Sequence, residues 1–362
     1  MKKLNFWWID DQANRLDTAT KRAIERPIHS SSHRANLIPK EIKNENDISS
    51  LIATIADKAR NKKDYPDLLL VDQKLDIQTA GAITQHGSSL AVILREKAPE
   101  IPLIGFSGAN EKDFPLLQRE QFIDFLPRES ISTSERIPDI YAIAEGYNAI
   151  YQRRIDTNFN SIENILSLVK VPKEDEDLLA SCIPGMFIAD WDNETSHSLS
   201  RWIWHVLLGM PGFTYDKLEV ATLLGLTPEG FDKISSSFSS CIYQGVFASY
   251  SRTRWWLSLV RTTARKAVKA NNSRPIWQIG RQMAKQDSTL FSKCYGQRST
   301  DCVPDVVAFR DELFDPSKRV QALLSDTIIV KADSPPPGFE PKRVLPKKTI
   351  RKRVTNVKKK IL

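Results

Sequence analysis

The sequence predicts an α/β fold, a doubly wound parallel sheet, followed by a mainly α-helical domain and a disordered basic tail. Three observations predict it. Short apolar runs at Leu4–Ile9, Leu68–Val71 and Ile101–Phe106 each stop at a side chain that carries oxygen: Asp10, Asp72 and Ser107. Segments with helical spacing lie between these runs, and strands alternating with helices in this way argue for right-handed βαβ crossovers. Beyond Ile131 the strand pattern gives way to helical spacing, and from Pro341 to Leu362 stand ten cations and no acid.

The elements follow in order from local chemistry. Leu4–Ile9 is short, apolar and aromatic-rich, as a buried strand is, and Asp10-Asp11 stop it. Gln12 to about Glu25 has a helical pattern closed by Pro27, and Ala35–Ile42 makes a short second strand interrupted by Pro39. Asp47 is placed to cap a helix whose apolar residues Ile48, Leu51, Ile52 and Ile55 recur at three and four. The continuous run Leu68–Val71 suits a strand buried on both faces, with Asp72 at its carboxyl end. A helix over Ser88–Lys97 precedes the strand that ends at Ser107, and Phe122–Leu126 is the last strand, running into Pro127-Arg128. Ile137 to Leu168 reads as one long helix or two joined ones.

Composition narrows the functions. Hydrophobic residues at 41% and charged ones at 27% exclude global disorder, and 362 residues suffice for two domains with their own cores. No apolar stretch is long enough to span a membrane, and Asp10-Asp11 come before any signal-peptide core could form, so a cytoplasmic protein without a membrane partner is expected. Cys182, Cys241, Cys294 and Cys302 lack the paired spacing of a zinc site and read as four reduced thiols. The five histidines form no metal motif.

The strand ends carry the chemistry. Three carboxylates, Asp10, Asp11 and Asp72, converging in one crevice repel one another, and a hard divalent ion with oxygen ligands, Mg²⁺, relieves that cost. Asp72 is then the phosphoacceptor, attacking in line, while the Ser107 hydroxyl and the Arg128 cation bind the equatorial oxygens on which charge accumulates. These segments, Ile9-Asp10-Asp11, Pro66–Asp72, Ile101–Ser107 and Asp124–Arg128, resemble the receiver domain of two-component response regulators. The resemblance implies a receiver (flavodoxin-like) fold, an aromatic switch at Phe125, a sensor histidine kinase or other phosphodonor as partner, and no catalysis beyond self-phosphorylation and dephosphorylation at Asp72. Two departures stand out: Arg128 replaces the family's lysine, and the stretch from Asp11 to Asp72 is long, which places an insertion near Arg26–Glu45.

The second region holds a segment, Leu218–Ile234, with helix-turn-helix spacing. Ala221 is small where two helices cross, Gly225 stands at the turn, and Leu226, Phe231 and Ile234 pack the second helix back. Thr227 would cap that helix with Pro228 in its first position. Cys241–Phe247 is expected as a small hairpin, and Thr227, Lys233, Arg252 and Arg254 are the candidate DNA contacts. Trp202, Trp204, Trp255, Trp256 and Trp277 are read as core. The expected organisation is a receiver-like domain at 1–131, a helical connector at 132–172, a helical domain at 173–332 with the helix-turn-helix at 217–236, and a Pro-rich linker and basic tail at 333–362. The expected function is a phosphorelay protein that passes the state of Asp72 to a DNA- or protein-binding region; the contrasting expectation is an adaptor that is never phosphorylated and recruits a protein at its receiver face.

Overall fold

A computed structural model describes residues 4–11, 35–61, 65–75, 87–108, 115–127, 136–156, 161–189, 193–248, 253–297, 299–310, 318–329 and 335–345. The expected helix at 12–25, Arg128, Arg252 and the tail beyond Leu345 lie outside the described residues. Two compact units form. The first comprises Met1–Val169, Pro184–Trp204 and Gln244–Ser251; the second comprises Lys170–Ile183, His205–Tyr243 and Arg252–Leu362.

Unit 1 is built on five parallel strands: β1 (Leu4–Asp10), β2 (Ala35–Glu41), β3 (Leu68–Asp72), β4 (Leu103–Ser107) and β5 (Asp124–Pro127), in the order β2-β1-β3-β4-β5. This is the 2-1-3-4-5 order of a flavodoxin-like doubly wound sheet, whose strand order reverses between β1 and β3. The two adjacent tryptophans of β1 point to opposite faces, as strand alternation requires. Trp7 packs with the apolar sides of α1 (Glu45–Asn61) and α2 (Gly87–Lys97), while Trp8 meets Phe106 edge-on and Phe6 meets Tyr141 of a later helix, α4.

Two sequence expectations change here. Residues 35–41 are β2, paired along their length with β1, so they are framework rather than insertion. Pro39 fits because β2 is an edge strand, where a missing amide hydrogen costs no ladder bond. Asp47 is not the cap of α1: Asn44 is, its Oδ1 accepting from the Asp47 amide at 3.1 Å while Asp47 Oδ2 accepts from the Asn44 amide at 3.2 Å. The pair forms a reciprocal capping box one turn earlier than expected.

The remaining helices of unit 1 are α3 (Leu116–Arg119), α4 (Ile137–Asp156), α5 (Ile162–Val169), α7 (Met186–Ala189) and α8 (Asn193–Trp202). The expected connector helix is thus two helices, and α4 packs directly on the sheet, burying Ile140, Tyr141, Ile143 and Ile150.

Unit 2 contains α6 (Glu176–Cys182), α9 (Lys217–Leu223), α10 (Pro228–Ile234), α11 (Leu257–Ala267) and α12 (Ile276–Met283). It also holds a strand pair, β6 (Thr214–Tyr215) with β7 (Trp255–Trp256), and a four-stranded sheet of order β10-β11-β8-β9 built from β8 (Val306–Phe309), β9 (Arg319–Ala322), β10 (Ile328–Ile329) and β11 (Arg343–Val344). The segment expected as a linker therefore folds at 335–345: Phe339 stacks edge-on against Phe213, the Glu340 amide donates to Pro211, and β11 pairs with both β8 and β10. Its apolar Phe339 and Val344 account for this, since both are buried.

Candidate functional site

The parallel register sets the site. Ile9 lies opposite Val71, Asp72 opposite Phe106, and Ser107 opposite Pro127, so Asp10, Asp72 and Ser107 come to one edge, the carboxyl ends of the strands. Asp10, Asp72 and Ser107 are buried, with Asp11 half-buried beside them. Carboxylate oxygens of Asp10, Asp11 and Asp72 all lie within 4.8 Å of one another, and they straddle the switch point between β1 and β3. That is where open α/β sheets bind ligands. The N-terminal unit has a receiver-type fold.

The receiver-type domain brings together three of the sequence-derived acids and the hydroxyl, while Arg128, immediately after β5, lies outside the described residues. Phe125 is on β5 but is turned into the core, 5% exposed, against Phe122 at 6.2 Å. Gly105 on the neighbouring strand makes room for both rings, since a Cβ there would stand 2.6 Å from Phe125 and 2.8 Å from Phe122.

At 4.8 Å two carboxylates repel by roughly 3 kcal/mol at an effective dielectric of about 20. A set of three such groups, all hard oxygen donors, fits a divalent cation of the Mg²⁺ type. Lys74 contributes its backbone amide, which donates to Asp72 Oδ1 at 3.2 Å.

Two residues of the site were not found by sequence reasoning. Gly87 opens α2 against the Asp72 carbonyl so closely that any Cβ would collide with it, and its amide donates to the Gln73 carbonyl at 2.9 Å. Gln73 is fully buried, its Nε2 donating to Gln118 Oε1 at 3.0 Å and to Ser88 Oγ at 3.3 Å. The segment after Asp72 is thereby tied to α2 and α3. The only sequence signal was a glycine at the start of a helix.

A third is Arg201 on α8. Its guanidinium donates to the carbonyls of Phe122 and Arg119, at 3.3 Å for the latter, and His197 on the same helix donates to the Glu120 carbonyl at 3.1 Å. Burial holds the Arg201 guanidinium below its ordinary pKa, opposed by the nearby Glu120 and Asp124 carboxylates. Helix α8 therefore closes over the α3–β5 connection.

In unit 2 the helix-turn-helix spacing produces that local structure. Asp216 caps α9 in a reciprocal box with Glu219, Gly225 turns the chain at φ +66°, and Thr227 caps α10, its Oγ1 accepting from the Gly230 amide at 3.0 Å. Among the described residues, the candidate DNA contacts Thr227, Lys233 and Arg254 do not share one exposed face. Lys233 is exposed on α10, but Glu229 and Asp232 are exposed there too, and Thr227 is used up in capping. Arg254 is 6% exposed: it sits 3.4 Å from Glu219 and 3.7 Å from Asp216 and donates to the Thr214 and Met210 carbonyls. Arg319 completes this cluster, pairing with Asp216 and with Glu219 at 3.1 Å. Burial pushes both carboxyls upward, and the two guanidiniums hold Asp216 below its ordinary value. The expected hairpin at Cys241–Phe247 does not form; Ile242 makes one bridge to Trp255 and the Tyr243 amide donates to Arg254. The paired strand comes from 255–256 because Trp255 and Trp256 pair with β6. Four of the five tryptophans read as core are buried, and Trp277 is half-buried beneath Arg281.

No family model matches the sequence, and no curated protein does. Among solved structures, the signal receiver domain of the response regulator NarL from Mycobacterium tuberculosis is 18% identical, covering 40% of this chain and 99% of that one at a TM-score of 0.29. RcsB from Salmonella typhimurium is 12% identical, over 55% of this chain and 99% of that one, TM-score 0.30. A Burkholderia pseudomallei response regulator with a phosphorylated aspartic acid and a calcium ion is 15% identical, over 46% and 91%, TM-score 0.24. Strand order and register carry the fold by themselves. Among the described residues no helix is long and apolar enough to cross a membrane.

Proposed function

We propose that this chain is a signalling protein of response-regulator type that accepts a phosphoryl group on Asp72 and relays the state of that residue to its C-terminal unit. The observation that carries this reading is the convergence of the Asp10, Asp11 and Asp72 carboxylates within 4.8 Å at the strand edge that also ends in Ser107. Asp10, Asp11 and Asp72 would hold Mg²⁺, which when bound offsets the charge on the transferring group. Asp72 offers one carboxylate oxygen in line to phosphorus; the bond to the donor breaks and the leaving group keeps its electron pair. The Ser107 hydroxyl donates to an equatorial oxygen, and Arg128, next in sequence after β5, supplies a cation. The donor is a sensor histidine kinase or a small phosphodonor, and the protein's chemistry stays on its own Asp72. Such donors place its work in the cytoplasm.

The relay runs through elements of the same unit. Phe125 lies on β5, the strand beside Ser107, and packs against Phe122 just before that strand, whose carbonyl accepts from Arg201 of α8. The chain passes from α8 into unit 2 after Trp204. For the output, exposed Glu229 and Asp232 on α10 favour a protein partner over a DNA phosphate backbone at that helix.

The test is incubation of full-length protein with Mg²⁺ and acetyl phosphate, read by intact mass. Gain of one phosphoryl group that Asp72→Asn abolishes is expected; no gain, or equal gain in the variant, overturns the reading. Duplex binding compared between full-length protein and a chain stopped after Leu345 separates the outputs. Binding that vanishes with the tail is expected, and binding retained by the shorter chain would return DNA reading to unit 2.

A further inference from the structure

Eight positions apart in unit 2, Cys294 and Cys302 meet with their sulfurs 2.7 Å apart. Their spacing matches no metal or redox motif, and the sequence reads them as independent thiols. The fold brings them together by fixing both ends of the intervening loop. The Gln297 amide donates to the Cys294 carbonyl at 2.9 Å, closing a turn in which Gly296 takes φ +79°, and the Tyr295 amide donates to Gln321 of β9 at 2.9 Å. Farther along, Arg281 donates to the Thr300 carbonyl at 3.0 Å. A covalent S–S bond is about 2.0 Å long, so only about 0.7 Å separates the pair from bonding distance. Because the loop is already closed, bond formation requires little further ordering, which gives the pair a high effective concentration.

We propose that Cys294 and Cys302 form a reversible disulfide, a peroxide- or disulfide-sensitive modification site in unit 2. The two sulfurs differ in role. Cys294 is 2% exposed and its thiol donates to the Cys302 carbonyl at 3.0 Å, so it keeps its proton and faces inward. Burial, with the Cys302 sulfur next, pushes the Cys294 thiol up to about 12. Cys302 is half-buried and meets the oxidant first. With hydrogen peroxide, the Cys302 thiolate attacks one peroxide oxygen; an S–O bond forms, the O–O bond breaks, and hydroxide leaves as water. The Cys294 sulfur then attacks Cys302, forming S–S, breaking S–O, and releasing a second water that takes the Cys294 proton. Two thiols are oxidised by two electrons and one peroxide is reduced to two waters. A small dithiol reverses the change by exchange.

The site is tied to the helix-turn-helix. Arg281, which holds Thr300, also donates to the Gly225 carbonyl at 3.2 Å, and the Ser292 amide donates to that same carbonyl at 3.1 Å. Oxidation stiffens the loop on which the α9–α10 turn is anchored.

The experiment uses the full chain, treated with stoichiometric hydrogen peroxide, then denatured, alkylated and measured by mass and peptide mapping. Expected is loss of two hydrogens, two alkylatable thiols instead of four, a Cys294–Cys302 cross-linked peptide, and full return with dithiothreitol. In Cys294→Ser, a sulfenic acid accumulates at Cys302 and is trapped by dimedone; in Cys302→Ser, Cys294 reacts no faster than Cys182 or Cys241. Four alkylatable thiols after treatment, a cross-link involving Cys182 or Cys241, or unchanged oxidation in Cys302→Ser would overturn the proposal.

Discussion

A carboxylate that is to take a phosphoryl group needs a backbone that does not drift, and Gly87 is what holds Asp72 still. The closeness of its Cα to the Asp72 carbonyl leaves no volume for a methyl group. Gly87→Ala is therefore expected to push the β3 end away from Asp10 and Asp11 and to abolish the thermal stabilisation that Mg²⁺ with beryllofluoride produces. Gly108→Ala is the matched control, because a Cβ there meets nothing within 4 Å, and it keeps the response. Equal responses from the two variants would show that Gly87 has no positioning role. The acids themselves were legible in the sequence because a parallel strand ends where its apolar run ends, and Asp10, Asp72 and Ser107 each mark that point. Gly87 and Gln73 were not, since their importance lies in a backbone approach and a buried amide network joining residues 15 and 45 positions apart.

Among the elements, α8 is the one whose role no local pattern announces. Its sequence, Asn193–Trp202, is rich in serine and threonine, yet Thr195, Ser196, His197 and Ser200 are buried: Ser196 Oγ accepts from the Arg154 guanidinium, Ser200 donates to the Ser196 carbonyl, and His197 donates to the Glu120 carbonyl. Arg201→Ala removes a charged donor from two carbonyls, a loss of about 2–3 kcal/mol. If Asp72 is phosphorylated as proposed, the parent is expected to change its hydrogen exchange over residues 193–204 and the variant, phosphorylated alike, is expected not to; a change that persists in the variant would mean that α8 does not read the site. The helix-turn-helix was legible for the opposite reason. Its signals, a capping threonine, Pro228, and a glycine where φ must be positive, are all local. What the sequence could not give was the surroundings of Arg254, whose partners Asp216 and Glu219 lie more than thirty positions away and bury a cation expected at the surface.

For the whole molecule, the four-membered cluster of Asp216, Glu219, Arg254 and Arg319 is the polar core of unit 2. Removing one acid leaves the buried Arg254 and half-buried Arg319 guanidiniums facing one carboxylate, so Asp216→Asn is expected to cost about 3 kcal/mol. Thermal unfolding should show an early transition in unit 2, and a transition unchanged from the parent would show the cluster to be neutral. Because Asp72 belongs to unit 1, its response to beryllofluoride below that transition should survive.

The units also share the chain in an unusual way: it passes between them five times, and unit 1 takes in 184–204 and 244–251 as well as its first 169 residues. A conventional response regulator architecture, with one module, one linker and one effector, can be cut or exchanged at a single junction. Here no single junction exists. A gene fusion ending near residue 131 would carry Asp72 but leave behind α4, the helix that covers one face of its sheet, and α8, with the arginine that closes over the α3–β5 connection. Such a fragment should bind an apolar dye and unfold at lower temperature than the intact chain. Recombination that swaps whole domains at one junction would divide unit 1, because the chain returns to it at 184–204 and 244–251 after leaving it.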